Sequence, residues 1–252
     1  MIAMFRFITP SLILGCIALA LATSAKSQDQ EIAPAPTMRV GDSWVFESTT
    51  QKGASEFHQL ILDVAVDRVD ETTMLVGVKT DGAPTGYVDH LAGLDWSKRQ
   101  LAGGEEEITA RPFSFPMKPG DTWSIDYVDS LRRGAQISDH VRARYKVMGW
   151  QDITVPAGTF RALKVVSDGV SEGAFEVAAA AVAGVTASGQ GATSLTQTRR
   201  GGSQLITRAT HAELYYVPKI KNYVKVLQEQ YNNDNVRLLS ETQVLMSYKL
   251  AD

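Results

Sequence analysis

The sequence predicts an all-β protein, a single strongly curved antiparallel sheet or open barrel, with signs of an internal duplication. Three observations carry that prediction. Runs of alternating apolar and polar residues recur from Trp44 to Leu250, the period of strands with one buried face. The runs are separated by Gly, Pro, Asn and Asp, residues that supply turn geometry. No long amphipathic helix pattern follows the first 27 residues.

Those first residues read as a secretory leader. Arg6 is its short basic part, Ile8 to Ala22 its apolar run, and Ala20-Leu-Ala22 or Thr23-Ser-Ala25 its small-residue cleavage pattern. Pro10 interrupts the run, which is shorter than the roughly 20 residues a membrane-spanning helix needs. Export is therefore expected, with the mature chain periplasmic or extracellular and without a transmembrane segment. Cys16, the sole cysteine, lies inside this leader, so the mature chain has neither disulfide nor thiol chemistry. Ile13-Leu-Gly-Cys16 also matches a bacterial lipidation box, and a lipoprotein anchored through Cys16 is the alternative. The apolar run continuing to Ala22 weighs against it. Loss of Arg6 and Lys26 leaves 23 of the 25 basic residues against 28 acidic ones, a net −5. That balance gives nucleic acid no electrostatic footing.

Residues 28–37 are polar and Pro-containing and read as a tether; 38–252 read as one β domain. Met38 to Phe46 gives a Gly-Asp turn running into a strand with Trp44 and Phe46 on one face. Leu60 to Asp67 alternates, Thr72 to Lys79 follows, and Asp81-Gly82 ends it. Weaker strands lie around Trp96, and Gly103 to Glu107 reads as an acidic loop. Val141 to Val147 and Arg161 to Val166 are strands flanking a corner at Pro156 and Gly158, because Pro cannot donate to a ladder. At 171–194 the composition turns to Ala, Gly, Val and Ser, an insertion compatible with a helix, small-residue strands or partial order. Leu205 to Thr210 and Glu213 to Val217 are strands closed by Pro218. Tyr223 to Tyr231 and Val236 to Leu250 form a hairpin around Asn232-Asn-Asp-Asn235.

Met117-Lys-Pro-Gly-Asp-Thr-Trp123 repeats Met38-Arg-Val-Gly-Asp-Ser-Trp44. Without gaps, the repeat lays Leu62, Val64 and Val66 onto Val141, Ala143 and Tyr145, and Asp63 and Asp67 onto Arg142 and Lys146. Asp81-Gly82 then corresponds to Asp168-Gly169 if the second copy has gained a loop at Val155 to Gly158.

Gly-Asp-x-Trp near the mature start, Val155-Pro-Ala-Gly-Thr-Phe160 in mid-chain, and Tyr216-Val-Pro218 followed by Val224-Lys225 occur in one order. That order resembles the bacterial secreted family known as domain of unknown function 3108-like, or TapB-type. The resemblance implies an exported β domain with no established activity and no catalytic residues. Members usually carry a glycine between the last two elements; Lys219 to Tyr223 here has none.

Candidate chemistry is sparse. His58, His90, His140 and His211 lack metal-ligand spacing, and no serine sits in a Gly-x-Ser-x-Gly elbow. Neither a catalytic constellation nor a cofactor is expected. His140, Arg142, Arg144 and Lys146 share one strand face, either a cationic stripe for an anionic partner or a solvated face neutralised by Asp63 and Asp67. Trp44, Phe46, Trp123, Phe160, Tyr215 and Tyr216 either line an apolar pocket or fill the core. The expected function is non-enzymatic binding of a lipid, another apolar small molecule or an envelope component. The alternative is an assembly factor that pairs with a partner protein through a sheet edge.

Overall fold

The computed structural model describes residues 31–251, apart from 55, 103–104, 131–134, 178–179, 189–190 and 200–201. The leader, Cys16 and its cleavage pattern lie outside the described residues. The chain forms the expected all-β fold: one antiparallel sheet of 12 strands, curled until its two edge strands approach each other. The strands are β1 (Ser43–Lys52), β2 (Glu56–Val69), β3 (Thr73–Thr80), β4 (Val88–Gly93), β5 (Lys98–Ala102), β6 (Glu105–Ala110), β7 (Thr122–Asp129), β8 (Gln136–Val155), β9 (Gly158–Val177), β12 (Gly202–Val217), β13 (Asn222–Tyr231) and β14 (Arg237–Lys249). Between β9 and β12, β10 (Ala180–Ser188) and β11 (Gly191–Arg199) form a separate two-stranded hairpin.

The order across the sheet is β6-β5-β4-β3-β2-β1-β14-β13-β12-β9-β8-β7. Neighbours in sequence pair as hairpins, and two long-range pairings complete the sheet. β1 pairs with β14, joining the ends of the chain, and β9 pairs with β12 across the β10–β11 hairpin. β6 and β7 meet at a seam with no ladder between them.

Several strands are longer than their alternation suggests. β8 and β9 run for 20 residues each, with Val155 opposite Gly158 at the Pro156-Ala157 turn. The two expected strands at 205–217 are one, β12, and 105–107 belong to strand β6 rather than to a loop. The composition shift at 171–194 is strand throughout its described residues: β9 continues to Val177 before the β10–β11 hairpin. The segment read as a tether docks as well. Ala33 is buried and exchanges two backbone hydrogen bonds with Met117, and Arg161 reaches the Glu31 carboxylate at 3.0 Å.

The repeat is visible in the hydrogen bonds. Gly41 N donates to Val66 O, Val66 N to Asp42 O, and Arg39 N to the Asp42 carboxylate at 2.9 Å. Gly120, Val147, Asp121 and Lys118 make the same three bonds. Both glycines have positive φ, 91° and 94°, where a side chain is strained. Trp44 lies opposite Val64, and Trp123 opposite Tyr145, so the second copy runs two residues later than the ungapped alignment. Leu62, Val64 and Val66 thus match Ala143, Tyr145 and Val147. Each copy then has a register shift at the same place, after Val66 and after Val147. Beyond it, Val76 and Met74 take the positions of Val165 and Leu163, all four buried. The gained segment is an extension of the β8–β9 hairpin. Asp168-Gly169 is no turn: Gly169 lies within β9, where a Cβ would strike the Arg142 carbonyl oxygen.

Two apolar clusters fill the curled sheet at one end. Trp44, Phe46, Val66, Met74 and Leu245 anchor the first, and Phe113, Met117, Leu163, Val165 and Tyr216 the second. Burial of this much aromatic and aliphatic surface, at about 25 cal/mol per Å2, is the main stabilising term.

Candidate functional site

The six aromatics singled out from sequence are divided between these clusters. Trp44, Phe46, Phe160 and Tyr215 belong to the first, Tyr216 to the second, and Trp123 packs against the second. Phe46 lies 4.9 Å from Tyr223, and Tyr216 lies 5.0 Å from both Phe113 and Phe115. These rings fill space rather than line it. The Tyr216 hydroxyl is enclosed without a hydrogen-bond partner among the described residues, and burial pushes its pKa far above the ordinary phenol range.

The cationic stripe is real as geometry, but its acids are not the expected ones. β8 lies between β7 and β9, away from β2, so Asp63 and Asp67 do not reach it. His140 Nε2 lies 2.7 Å from Asp126 Oδ1, and Arg142 Nη2 donates to Glu172 Oε1 at 2.9 Å. Opposite acids on adjacent strands are the ordinary neutralisation of an exposed sheet face. Arg144 and Lys146 are exposed and have no ion pair among the described residues.

The unfilled space lies elsewhere, inside the sheet between the seam and β13. Strand phase shows how it forms. Leu214 faces Val226 in the second cluster; going up the same ladder, Ala212 faces Gln228 and Thr210 faces Gln230. On the adjoining strands, Tyr145, Ala143 and Val141 face Ser167, Gly169 and Ser171. They also face Trp123, Ile125 and Tyr127 on the other side. On β9, β12 and β13 the inward positions thus change from large and apolar to small or polar, and packing against β7 and β8 fails. A cavity of about 420 Å3 results, closed on the seam side by Lys98, Thr109 and Ala110. It falls within the range of small-molecule sites, about 300–1,000 Å3.

Its walls have two characters. Ile125, Tyr127, Val141, Ala143 and Ala212 provide carbon surface. Asp129, Asp139, Ser171, Thr210, Gln228 and Gln230 provide polar groups. Asp129 is 8% exposed. Ser171 Oγ donates to Asp139 Oδ1 at 2.6 Å, and burial raises the pKa of Tyr145, whose hydroxyl bonds Ser167. A second cavity of about 430 Å3 shares Asp139 and Gln230 with the first and opens among Lys52, Phe175, Arg208 and Leu239. Arg208 lies over the Phe175 ring at 5.3 Å. No cluster of potential metal ligands occurs among the described residues, and none of their helices is long and apolar enough to cross a membrane.

None of the lining residues was singled out from sequence as a site residue; His211 was weighed only as a metal ligand. A signal existed: Ser167, Gly169 and Ser171 on β9, and Gln228 and Gln230 on β13, occupy the phase that Leu163, Val165 and Val226 make apolar. Polar residues at inward positions mark where a core ends.

The segment from Lys219 to Tyr223 makes its turn without a glycine. Pro218–Ile220 forms a single 3-10 turn, and Lys221, which ends it, is left-handed with φ 63°. Its ammonium donates to both Asp42 oxygens, at 3.0 and 2.8 Å, while the Trp44 and Trp96 indoles bond the Ile220 and Lys221 carbonyls. These contacts hold a lysine in a backbone conformation that favours glycine.

No protein-family model and no curated protein matches the chain. Two solved structures are similar over most of it. A protein of Parabacteroides distasonis ATCC 8503, inferred to be a lipoprotein, is 16% identical over 87% of this chain and 100% of its own, with TM-score 0.46. A protein of Bacteroides fragilis NCTC 9343, inferred to be exported and having a YmcC-like fold, is 16% identical over 86% and 99%, with TM-score 0.41. At TM-scores below 0.5 neither likeness bears on function.

Proposed function

We propose that the protein is exported and acts without catalysis, as a binding protein whose ligand occupies the hollow half of the curled sheet. The leader-like first 27 residues support export, and the order of the short motifs supports the TapB-type resemblance. The observation that carries the binding reading is the cavity itself: 12 strands close around a packed aromatic end and leave about 420 Å3 unfilled at the other. Filling such a space with Leu or Phe would stabilise the fold, so an unfilled, polar-lined cavity is a feature of use rather than of stability.

The second reading is an assembly factor, favoured by one observation: β6 and β7 meet without a ladder, leaving two strand edges for a partner strand. Native mass spectrometry of protein taken from the periplasm separates the two. The binding reading expects a bound small mass that Ala212→Phe, which fills the cavity, removes. A stoichiometric protein partner retained by both wild type and Ala212→Phe, with no small mass, overturns it in favour of the edge. Intact mass showing a retained N-terminus overturns export by cleavage of the leader.

A further inference from the structure

Resting on that reading, we propose that the ligand is a neutral polyhydroxylated molecule, a short saccharide chain in its chemistry, rather than a lipid. The walls decide between classes. An acyl chain offers no hydrogen bonds, yet filling the cavity with one would cover the polar groups of Thr210 and Gln230 without water. Each polar group buried without a partner is unfavourable.

A strongly charged ligand fits no better. Asp139 already accepts the Ser171 hydroxyl, and Glu229, at the rim, takes hydrogen bonds from Tyr231 and Arg237. Lys98 brings a positive charge to the same wall. The charges are thus partly answered before a ligand enters, which lowers the gain from a cation, while the carboxylates repel an anion.

A sugar ring uses both characters at once. Its hydroxyls are donors and acceptors, matching amides that offer both and carboxylates that accept. Its C–H faces pack on apolar and aromatic side chains, which Ile125, Tyr127, Val141 and Ala143 provide on the opposite wall. The two cavities, of about 420 and 430 Å3, share Asp139 and Gln230, so the space continues from the interior to the mouth. That continuity suits a chain of rings better than a single one. At the mouth, the Phe175 ring with Arg208 against it provides a flat platform for an outer ring. The polar rank also extends beyond the cavity lining. Tyr223 donates to Gln243 at 2.8 Å, Gln243 donates to Glu241 at 2.8 Å, and Ser48 bonds the same Glu241 oxygen.

The test is isothermal titration of the mature protein with three probes. These are a panel of neutral di- and trisaccharides covering α and β linkages, palmitate, and spermidine. Binding of at least one saccharide is expected, with trisaccharide tighter than disaccharide. Gln230→Leu, at the shared wall, should weaken it about tenfold, as loss of one ligand hydrogen bond with its partner left unpaired does. Lys79→Gln, on the outside of β3, should leave it unchanged. Circular dichroism and melting of each variant separate lost binding from lost folding. Binding of palmitate or spermidine alone, abolished by Ala212→Phe, overturns the ligand class and leaves the cavity as the site. Saccharide binding unaffected by both Gln230→Leu and Ala212→Phe places the ligand elsewhere and overturns both readings. No binding by any probe overturns the saccharide assignment, and a bound mass on the native protein then decides the cavity reading by itself.

Discussion

The two Gly-Asp-x-Trp turns of this protein are locally alike and energetically different. Each aspartate caps its own turn, and each preceding glycine closes on a buried valine, Val66 or Val147. Around the first turn the structure is closed. Asp42 is 0% exposed, salt-bridged to Lys221, and accepts the Ala251 N–H at 2.9 Å. Trp44 is 1% exposed and meets Trp96 edge-on at 5.3 Å. Around the second turn the structure is open. Asp121 is half-buried with no ion pair among the described residues, and Trp123 is half-buried. The Trp123 indole donates to the Arg111 carbonyl and stacks on Tyr145 at 5.1 Å and 6°. Tyr145 lines the cavity. One copy of the motif thus anchors the packed end, while the other supports a wall of the hollow. A local motif sets a turn; what that turn is worth depends on what closes over it.

The sharpest way to break this comparison is at the aspartates. Asp42→Ala removes the fully buried partner of Lys221, together with the hydrogen bonds from Arg39 and Ala251, and should cost about 3 kcal/mol. Asp121→Ala removes a turn hydrogen bond open to water and should cost about 1 kcal/mol. Urea denaturation measures both, and equal losses would mean that the two turns carry the same weight. The tryptophans come next. Trp44→Ala should cost about 3–5 kcal/mol, the value for a fully buried aromatic. Trp123→Ala should cost roughly half of that, because only part of its ring leaves water. The two tryptophans thus occupy corresponding positions with different burial. Urea denaturation of the two tryptophan variants shows whether the energetics follow.

The smallest effect sharpens the comparison further along the repeat. Leu75 of the first copy occupies the position of Lys164 in the second. Lys164 Nζ donates to Glu213 at 2.6 Å, and the Tyr215 hydroxyl donates to the same carboxylate at 2.7 Å. Burial works against the Glu213 anion, but the bonds from Lys164 and Tyr215 together outweigh it and hold its pKa below the ordinary value. A depressed carboxylate stabilises the fold above its unfolded pKa, about 4.3, and that contribution is lost as pH falls through the folded value. Glu213→Gln should therefore lower stability at neutral pH and flatten the fall in melting temperature below about pH 4. Glu229, held low despite burial by Tyr231 and Arg237, keeps part of that slope. An acid limb identical in wild type and variant would show that this cluster adds no pH dependence.

The sequence alone determined what is periodic and local. Period two identified most strands and which residues share a face, and Pro156, Gly158, Asn232 and the two Gly-Asp pairs marked turns through backbone conformations that few residues adopt. The apolar phase also placed Trp44, Phe46 and Tyr216 inside. Only the tertiary structure decided what each face meets. The pairings of β1 with β14 and β9 with β12 are long-range, and no local pattern encodes them. The registers of the β7–β8 and β8–β9 hairpins put Asp126 and Glu172, rather than Asp63 and Asp67, beside the basic stripe. The β12–β13 register sets Gln228 and Gln230 opposite Ala212 and Thr210, and the curl of the sheet brings both to the cavity. Alternation says that a side chain points inward; whether it meets another side chain or a cavity depends on how far the curled sheet closes and on the sizes of the residues facing it from strands distant in sequence.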